Sequence, residues 1–196
     1  MSLFGGEGWY SRGYLPHFDD ARVIQTVTYR LADSLPADAL ARLDAERRAG
    51  LSDAERRERI DDLIDAGLGA CWLRRPQIAD IVVGSWRHFD GVRYLLHAWV
   101  VMPNHVHIVV HLIEPHTLST VIKGWKSFTT RRINETLGRR GSLWQIESWD
   151  RFIRNQEHYD AAIAYVHNNP VKAGLVSRPD DWPWSSARYA AEHGGP

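Results

Sequence analysis

A single cysteine, Cys71, stands among the 196 residues. An internal disulfide is therefore impossible, and a cysteine-built metal centre is disfavoured. No apolar run approaches the roughly 20 residues that a bilayer-spanning helix needs. The opening M-S-L-F-G-G-E-G-W-Y has no basic segment followed by an apolar one, so secretion is not indicated and a reducing cytoplasm, with no membrane partner, is expected. There is no internal repeat and no low-complexity tract. Net charge is also missing, with 24 Lys+Arg against 24 Asp+Glu. A zero average can hide a local field, and here it does. From His116 to Arg154 the basic residues Lys123, Lys126, Arg131, Arg132, Arg139, Arg140, Arg151 and Arg154 face only Glu135, Glu147 and Asp150, whereas the acids gather between Asp38 and Asp65. Nine tryptophans are many for this length, and tryptophan serves equally as core ballast or as a platform for stacked bases.

The length suits one domain with room for an insertion. The aromatic opening, Trp9 to Asp19, reads as an irregular loop. Arg22–Leu31 alternates as a strand. The stretch from Ala37 to Gly50 carries Leu40 and Leu43 at helical spacing, and Ser52 with Glu55 forms a capping-box signal for a second helix with Ile60, Leu63 and Ile64 as its stripe. The charges of this second helix, Asp53 to Asp62, read as solvated faces. Pro76 opens a helix whose Ile78, Ile81, Val82 and Trp86 share a face, and Asp90-Gly91 marks a turn. Tyr94–Val101 and His105–His111 read as adjacent antiparallel strands broken by Met102-Pro103-Asn104. Thr117–Leu137 is a long helix ended by Gly138 and Gly141. A last helix begins near Glu157 and is expected to stop at Asn168 or Asn169, because Pro170 disfavours helical geometry before it.

The stretch W-V-V-M-P-N-H-V-H-I-V-V-H, residues 99–111, puts ionisable groups inside a β-branched strand. Side chains alternate along a strand, so His105 and His107 point the same way. Neutral imidazole is a common ligand of divalent metals, and this pair makes a half-site that needs a carboxylate, an amide or water to complete it. Alone, an H-x-H is as readily a hydrogen-bonded structural pair. His111 shares the face but sits too far along the strand for one ion. Near the chain's end Tyr165 and Asn169 are four apart, hence on one helix face, while His167 points elsewhere. If that face meets the histidine strand, a phenol oxygen could attack a phosphate polarised by a metal held between two imidazoles and an amide.

The strings M-P-N-H-V-H-I-V-V, S-L-W-Q, R-F-I-R-N, A-Y-V-H-N-N-P-V-K-A-G-L-V and D-W-P-W-S-S occur in that order between Tyr94 and Tyr189. Together they resemble the REP-associated tyrosine transposases, a branch of the single-tyrosine HUH transposase superfamily. The resemblance implies an α+β, ferredoxin-like antiparallel sheet with helices on one face. It implies His105 and His107 as ligands of Mg²⁺ or Mn²⁺, Asn169 as the third ligand and Tyr165 as the nucleophile. It implies single-stranded DNA hairpins as substrates, cleaved to a 5′-phosphotyrosine and a 3′-OH, by a monomer or homodimer in the cytoplasm at the nucleoid. The chain departs from a minimal family member in a charged helical insertion at about 36–77, and it ends in an aromatic tail at about 178–196, all within one domain spanning 1–196. Candidates for DNA contact are Lys123, Lys126, Arg131, Arg132, Arg151, Arg154 and Lys172 for phosphates and Trp182 and Trp184 for bases. A hairpin-binding protein without turnover is the rival reading. A histidine-triad hydrolase would want H-x-H-x-H, but Val109 holds the third place. Two-histidine phosphoesterases would need a hydroxyl residue two places after each histidine, and none is there.

Overall fold

The computed structural model describes residues 9–11, 16–18 and 23–193. Arg22 and most of the opening stretch lie outside them, but the described part of that stretch is a strand pair rather than a loop: β1 (Trp9–Ser11) pairs antiparallel with β2 (Pro16–Phe18). The main sheet holds β3 (Ile24–Arg30), β4 (Tyr94–Val101), β5 (His105–Leu112) and β6 (Trp149–Phe152), antiparallel throughout, in spatial order β4-β5-β3-β6. Between β3 and β4 come α1 (Ala37–Arg48), α2 (Asp53–Asp65) and α3 (Pro76–Arg87), and between β5 and β6 comes α4 (Leu118–Leu137). With α1 and α2 set aside, the order is β-α-β-β-α-β, the ferredoxin-like arrangement expected from the motifs.

The period-two alternation of the strands sorts their side chains into two cores. Val27, Tyr29, Val106, Ile108 and Val110 face α3 and α4, which contribute Ile78, Val82, Trp86, Val121, Trp125 and Ile133. Full burial of an aliphatic side chain of this size contributes about 1.5–3 kcal/mol. Two buried indoles of this core are paired with phenols: Trp86 Nε1 donates to the Tyr29 hydroxyl at 2.9 Å and Trp125 Nε1 to the Tyr94 hydroxyl at 2.8 Å. The opposite face carries Ile24, Ala98, Val100 and Val109, and across it lies α5 (Gln156–Lys172), seated through Ala162 and Val166. The two crossover helices thus share one face as expected, and the helix after the fourth strand takes the other.

The helix α5 also runs past Pro170, where the sequence suggested a stop. Proline forfeits only its own N–H bond so near the end, and the next turn closes through the Ala173 N–H to the Asn169 carbonyl at 3.0 Å. The predicted capping box is present at Ser52 and Glu55, and α4 ends on left-handed Gly138. The aromatic tail, with α6 (Ser186–His193), lies along β4: the Val101 N–H donates to the Trp184 carbonyl at 2.9 Å, covering an edge that would otherwise be open. Among the described residues, no helix is long and apolar enough to cross a membrane.

Candidate metal and tyrosine site

The β3–β5 register sets Thr28 opposite His107 and Arg30 opposite His105, so both imidazoles project from the face covered by α5. Both are buried, and their Nε2 atoms lie 3.0 Å apart. The outer nitrogens are held from behind. Asn104 Nδ2 donates to the Leu68 carbonyl at 2.9 Å, which fixes its Oδ1 as the atom 2.8 Å from His105 Nδ1. His105 therefore donates from Nδ1 and turns the Nε2 lone pair into the pocket. His107 Nδ1 meets the Thr28 hydroxyl at 2.7 Å. A hydroxyl can donate or accept, so His107 has two tautomers: in one its Nε2–H donates to His105, and in the other both Nε2 lone pairs converge. Burial first and the Lys172 charge second push His107 down to about 3, and burial with the His107 and Lys172 charges holds His105 well below the usual imidazole range. Both rings are neutral, which is the ligating form.

A third donor comes from the charged insertion. Asp65, the last residue of α2, places Oδ1 3.4 Å from His105 Nε2, and that oxygen is buried without a hydrogen-bond partner. Its Oδ2 accepts from Lys172 Nζ at 3.1 Å, and Lys172 also donates to Asp62 at 3.2 Å. Burial raises the Asp65 carboxyl above its ordinary range, with Lys172 opposing. Donor atoms of Asp65, His105 and His107 lie within 4.8 Å of one another. Cis ligands on an octahedral ion at about 2.1 Å are about 3 Å apart, which the imidazole pair satisfies. Two imidazoles with a carboxylate make a mixed nitrogen and oxygen set suited to a divalent first-row ion or Mg²⁺.

Tyr165 and Asn169 stand on α5 above this point. The Tyr165 ring packs edge-on to His107 with centroids 5.2 Å apart, and 39% of the residue remains exposed. Asn169 is buried, and neither of its amide atoms makes a hydrogen bond of ordinary geometry. Partial burial raises the Tyr165 phenol above its usual value; Asp61 and Asp65 raise it further, and the neighbouring Asn169 amide opposes them. The structure thus gathers His105, His107, Tyr165 and Asn169 and adds Asp65, Asn104 and Thr28, which the sequence reading did not single out. Asp65 was legible only as the continuation of the Asp61, Asp62 face beside the apolar Ile60, Leu63, Ile64 stripe.

The proposed DNA contacts divide. Lys123, Arg131, Arg132, Arg151 and Arg154 are exposed. Lys123 and Arg131 border a cleft of about 480 Å³ between α4 and residues 142–150, with hydroxyls of Ser119, Ser127 and Thr130 along it. Lys126 is spent on the fold, its Nζ donating to the carbonyls of Gln145, Ile146 and Glu147 at 3.0 to 3.1 Å. Lys172 is engaged by Asp62 and Asp65. Trp182 is buried and donates from Nε1 to the Val101 carbonyl at 2.9 Å, and Trp184 donates to Asp80 at 3.0 Å. Their rings pack edge to face with centroids 5.5 Å apart, with Trp182 buried and Trp184 half-buried. His111 sits beside His97, centroids 6.4 Å apart, away from the pair, and His167 bonds to Ser186.

Residues 88–169 match the family described as transposase IS200 like. The REP-associated tyrosine transposase of Escherichia coli (strain K12) is 32% identical over 91 residues, which are 46% of this chain and 53% of that protein. A relative from Haemophilus influenzae is 29% identical over 96 residues, 44% of this chain and 54% of its own. The chain spans about half the length of these curated relatives. A solved REP-associated tyrosine transposase bound to a REP hairpin shares the fold, with a TM-score of 0.54 at 21% identity over 87% of this chain and 80% of that one. His105, His107, Tyr165 and Asn169 all fall within the residues that are similar to the IS200-like transposase family, and the fold around them is shared with a REP-associated tyrosine transposase.

Proposed function

We propose that this protein is a metal-dependent endonuclease and strand transferase for single-stranded DNA hairpins such as REP elements, working through a 5′-phosphotyrosine. The observation that carries the reading is the packing of the Tyr165 ring against His107, whose Nε2 meets that of His105 at 3.0 Å. His105, His107 and Asp65, with the Asn169 oxygen, would hold Mg²⁺ or Mn²⁺. Such an ion withdraws charge from a phosphate oxygen and stabilises a phenolate.

Tyr165 supplies the nucleophile. Its oxygen forms a bond to phosphorus in line with the breaking P–O3′ bond, the phenol proton is released, and the departing O3′ takes up a proton as the free 3′-OH. Attack of another 3′-OH on the phosphotyrosine reverses the step and joins strands. Burial first, and Asp61 and Asp65 next, raise the phenol above its ordinary range, so its proton loss is costly and a bound cation would ease it. The exposed Lys123, Arg131, Arg132, Arg151 and Arg154 are positioned to meet phosphates outside the reacting centre. A protein acting on chromosomal hairpins would work in the cytoplasm, at the nucleoid. The whole chain serves as one unit, with the α1–α2 hairpin inserted into it.

The test is incubation with a labelled REP-type hairpin and Mn²⁺. A covalent adduct that survives denaturation and disappears in Tyr165→Phe is expected. Tight hairpin binding with no adduct under either metal would instead identify a binding protein of the same fold.

A further inference from the structure

Asp65 lies outside the segment that matches the transposase family, on a helical hairpin of its own. The hairpin buries a small cluster, Leu35, Leu43, Ile60 and Ile64, whose apolar partner from the main sheet among the described residues is Trp149 on β6. The ion pairs Arg56–Asp44 and Arg59–Glu46 tie α1 to α2 rather than either helix to the sheet. What fastens α2 to the catalytic face is polar: Lys172 to Asp62 and Asp65, and Asp65 to the histidines. The chain leaving α2 is joined to the same point, since Leu68 accepts from Asn104, the residue that orients His105.

We propose that the α1–α2 hairpin is a cover fastened by the metal: Asp65 binds the same divalent cation as His105 and His107, and cation binding locks the hairpin over Tyr165. The inference rests on the metal-site reading above. Two features single out the Asp65 oxygen. Its Oδ1 is buried, has no hydrogen-bond partner, and sits 3.4 Å from a lone pair that Asn104 has turned toward it. A carboxylate oxygen removed from water without a donor is costly, and a cation shared with the imidazoles satisfies it. Asp61 and Asp62 stand four and three residues before Asp65, one helical turn back, and the three bring negative charge beside the phenol where a phosphodiester has to approach. With the cation in place the cover neutralises part of that charge; without it, the cover repels the substrate. The hairpin would thereby make DNA entry conditional on metal.

Mn²⁺ titration calorimetry and trypsin cleavage after Arg48, the last residue of α1 where the turn to α2 begins, provide the test. Wild-type protein should bind Mn²⁺, and saturating Mn²⁺ should slow that cleavage several-fold. Asp65→Asn, nearly isosteric, should weaken Mn²⁺ on the order of tenfold or more, as loss of metal-site groups does, and should abolish the protection. Lys172→Met removes the ion pair but not the ligand and should leave Mn²⁺ affinity within a few-fold of wild type. His105→Ala should lose Mn²⁺ binding altogether. Mn²⁺ that binds wild type but neither protects Arg48 nor discriminates Asp65→Asn overturns the cover while leaving the histidine site standing. A Lys172→Met loss as large as that of Asp65→Asn also overturns it, since the carboxylate would then act only as a structural anchor. Wild-type protein that binds no Mn²⁺ overturns the site reading itself, and the cover with it.

Discussion

The side-chain oxygen of Asn104 lies 2.8 Å from His105 Nδ1, and through that contact a turn residue decides which imidazole nitrogen faces His107 and Asp65. Asn104→Ala should lower Mn²⁺ affinity by about 10–100-fold, the usual effect of losing a partner that orients a metal-bound imidazole. Asn104→Asp keeps the acceptor and loses the donor to Leu68, so it should retain most of the affinity at some cost in stability. Thr28→Val, which leaves His107 Nδ1 without its partner, should resemble Asn104→Ala. Titration calorimetry of the three variants separates orientation from folding, and an Asn104→Ala affinity equal to wild type would remove the orienting role.

Lys126 gives a pH signature away from the histidine pair. Burial and the Arg30 charge push its ammonium down to about 8 from an ordinary 10.5. Between those values the unfolded chain keeps the proton that the folded chain releases, so stability rises with pH across the window, by at most about 1.4 kcal/mol per unit. Chemical denaturation of wild type and Lys126→Met from pH 7.5 to pH 9.5 should show this upward slope only in wild type. Parallel curves would mean that the three carbonyls hold the ammonium charged throughout.

The tail tryptophans should behave as core residues. Trp182→Ala removes a buried indole and its bond to Val101, and should cost about 3–5 kcal/mol, read as a lowered Tm. Hairpin affinity, measured where the variant stays folded, should remain within a few-fold of wild type. Lost binding at an unchanged Tm would return Trp182 to the DNA surface.

These residues also show what the sequence could and could not disclose. The site strand was readable because alternation forces His105 and His107 to one face whatever they pack against, and Tyr165 and Asn169 were readable because four residues make about one helical turn. Which face α5 would cover was not encoded in any local period; it follows from the sheet presenting Ile24, Val100 and Val109 on the side of the histidines. Asp65 was hidden for a related reason. Its neighbours Asp61 and Asp62 carry the composition of a solvated helix, and only the long-range approach of α2 to β5 distinguishes the one carboxylate drawn inward. Trp182 is ambiguous for another reason, since an aromatic in a polar tail reads the same whether it meets bases or a strand edge.

Gly69 tests whether the exit from α2 is mechanically coupled to the metal. It holds φ +85°, and a Cβ there would come within 2.4 Å of the Asp33 carbonyl oxygen, a backbone atom that cannot swing aside. Asp33 also accepts from the Ala70 N–H at 2.9 Å, so the strap carrying Leu68 past Asn104 has little room to shift. Gly69→Ala should therefore cost at least the roughly 1–3 kcal/mol of a strained backbone position, and it should weaken Mn²⁺ binding as Leu68 pulls on Asn104. Gly50, at φ +108° in the turn between α1 and α2, has open space around its would-be Cβ. Gly50→Ala then carries conformational strain without displacing the strap, so its Mn²⁺ affinity should match wild type. Equal affinities for the two variants, measured below both melting transitions, would show that the strap and the metal site move independently.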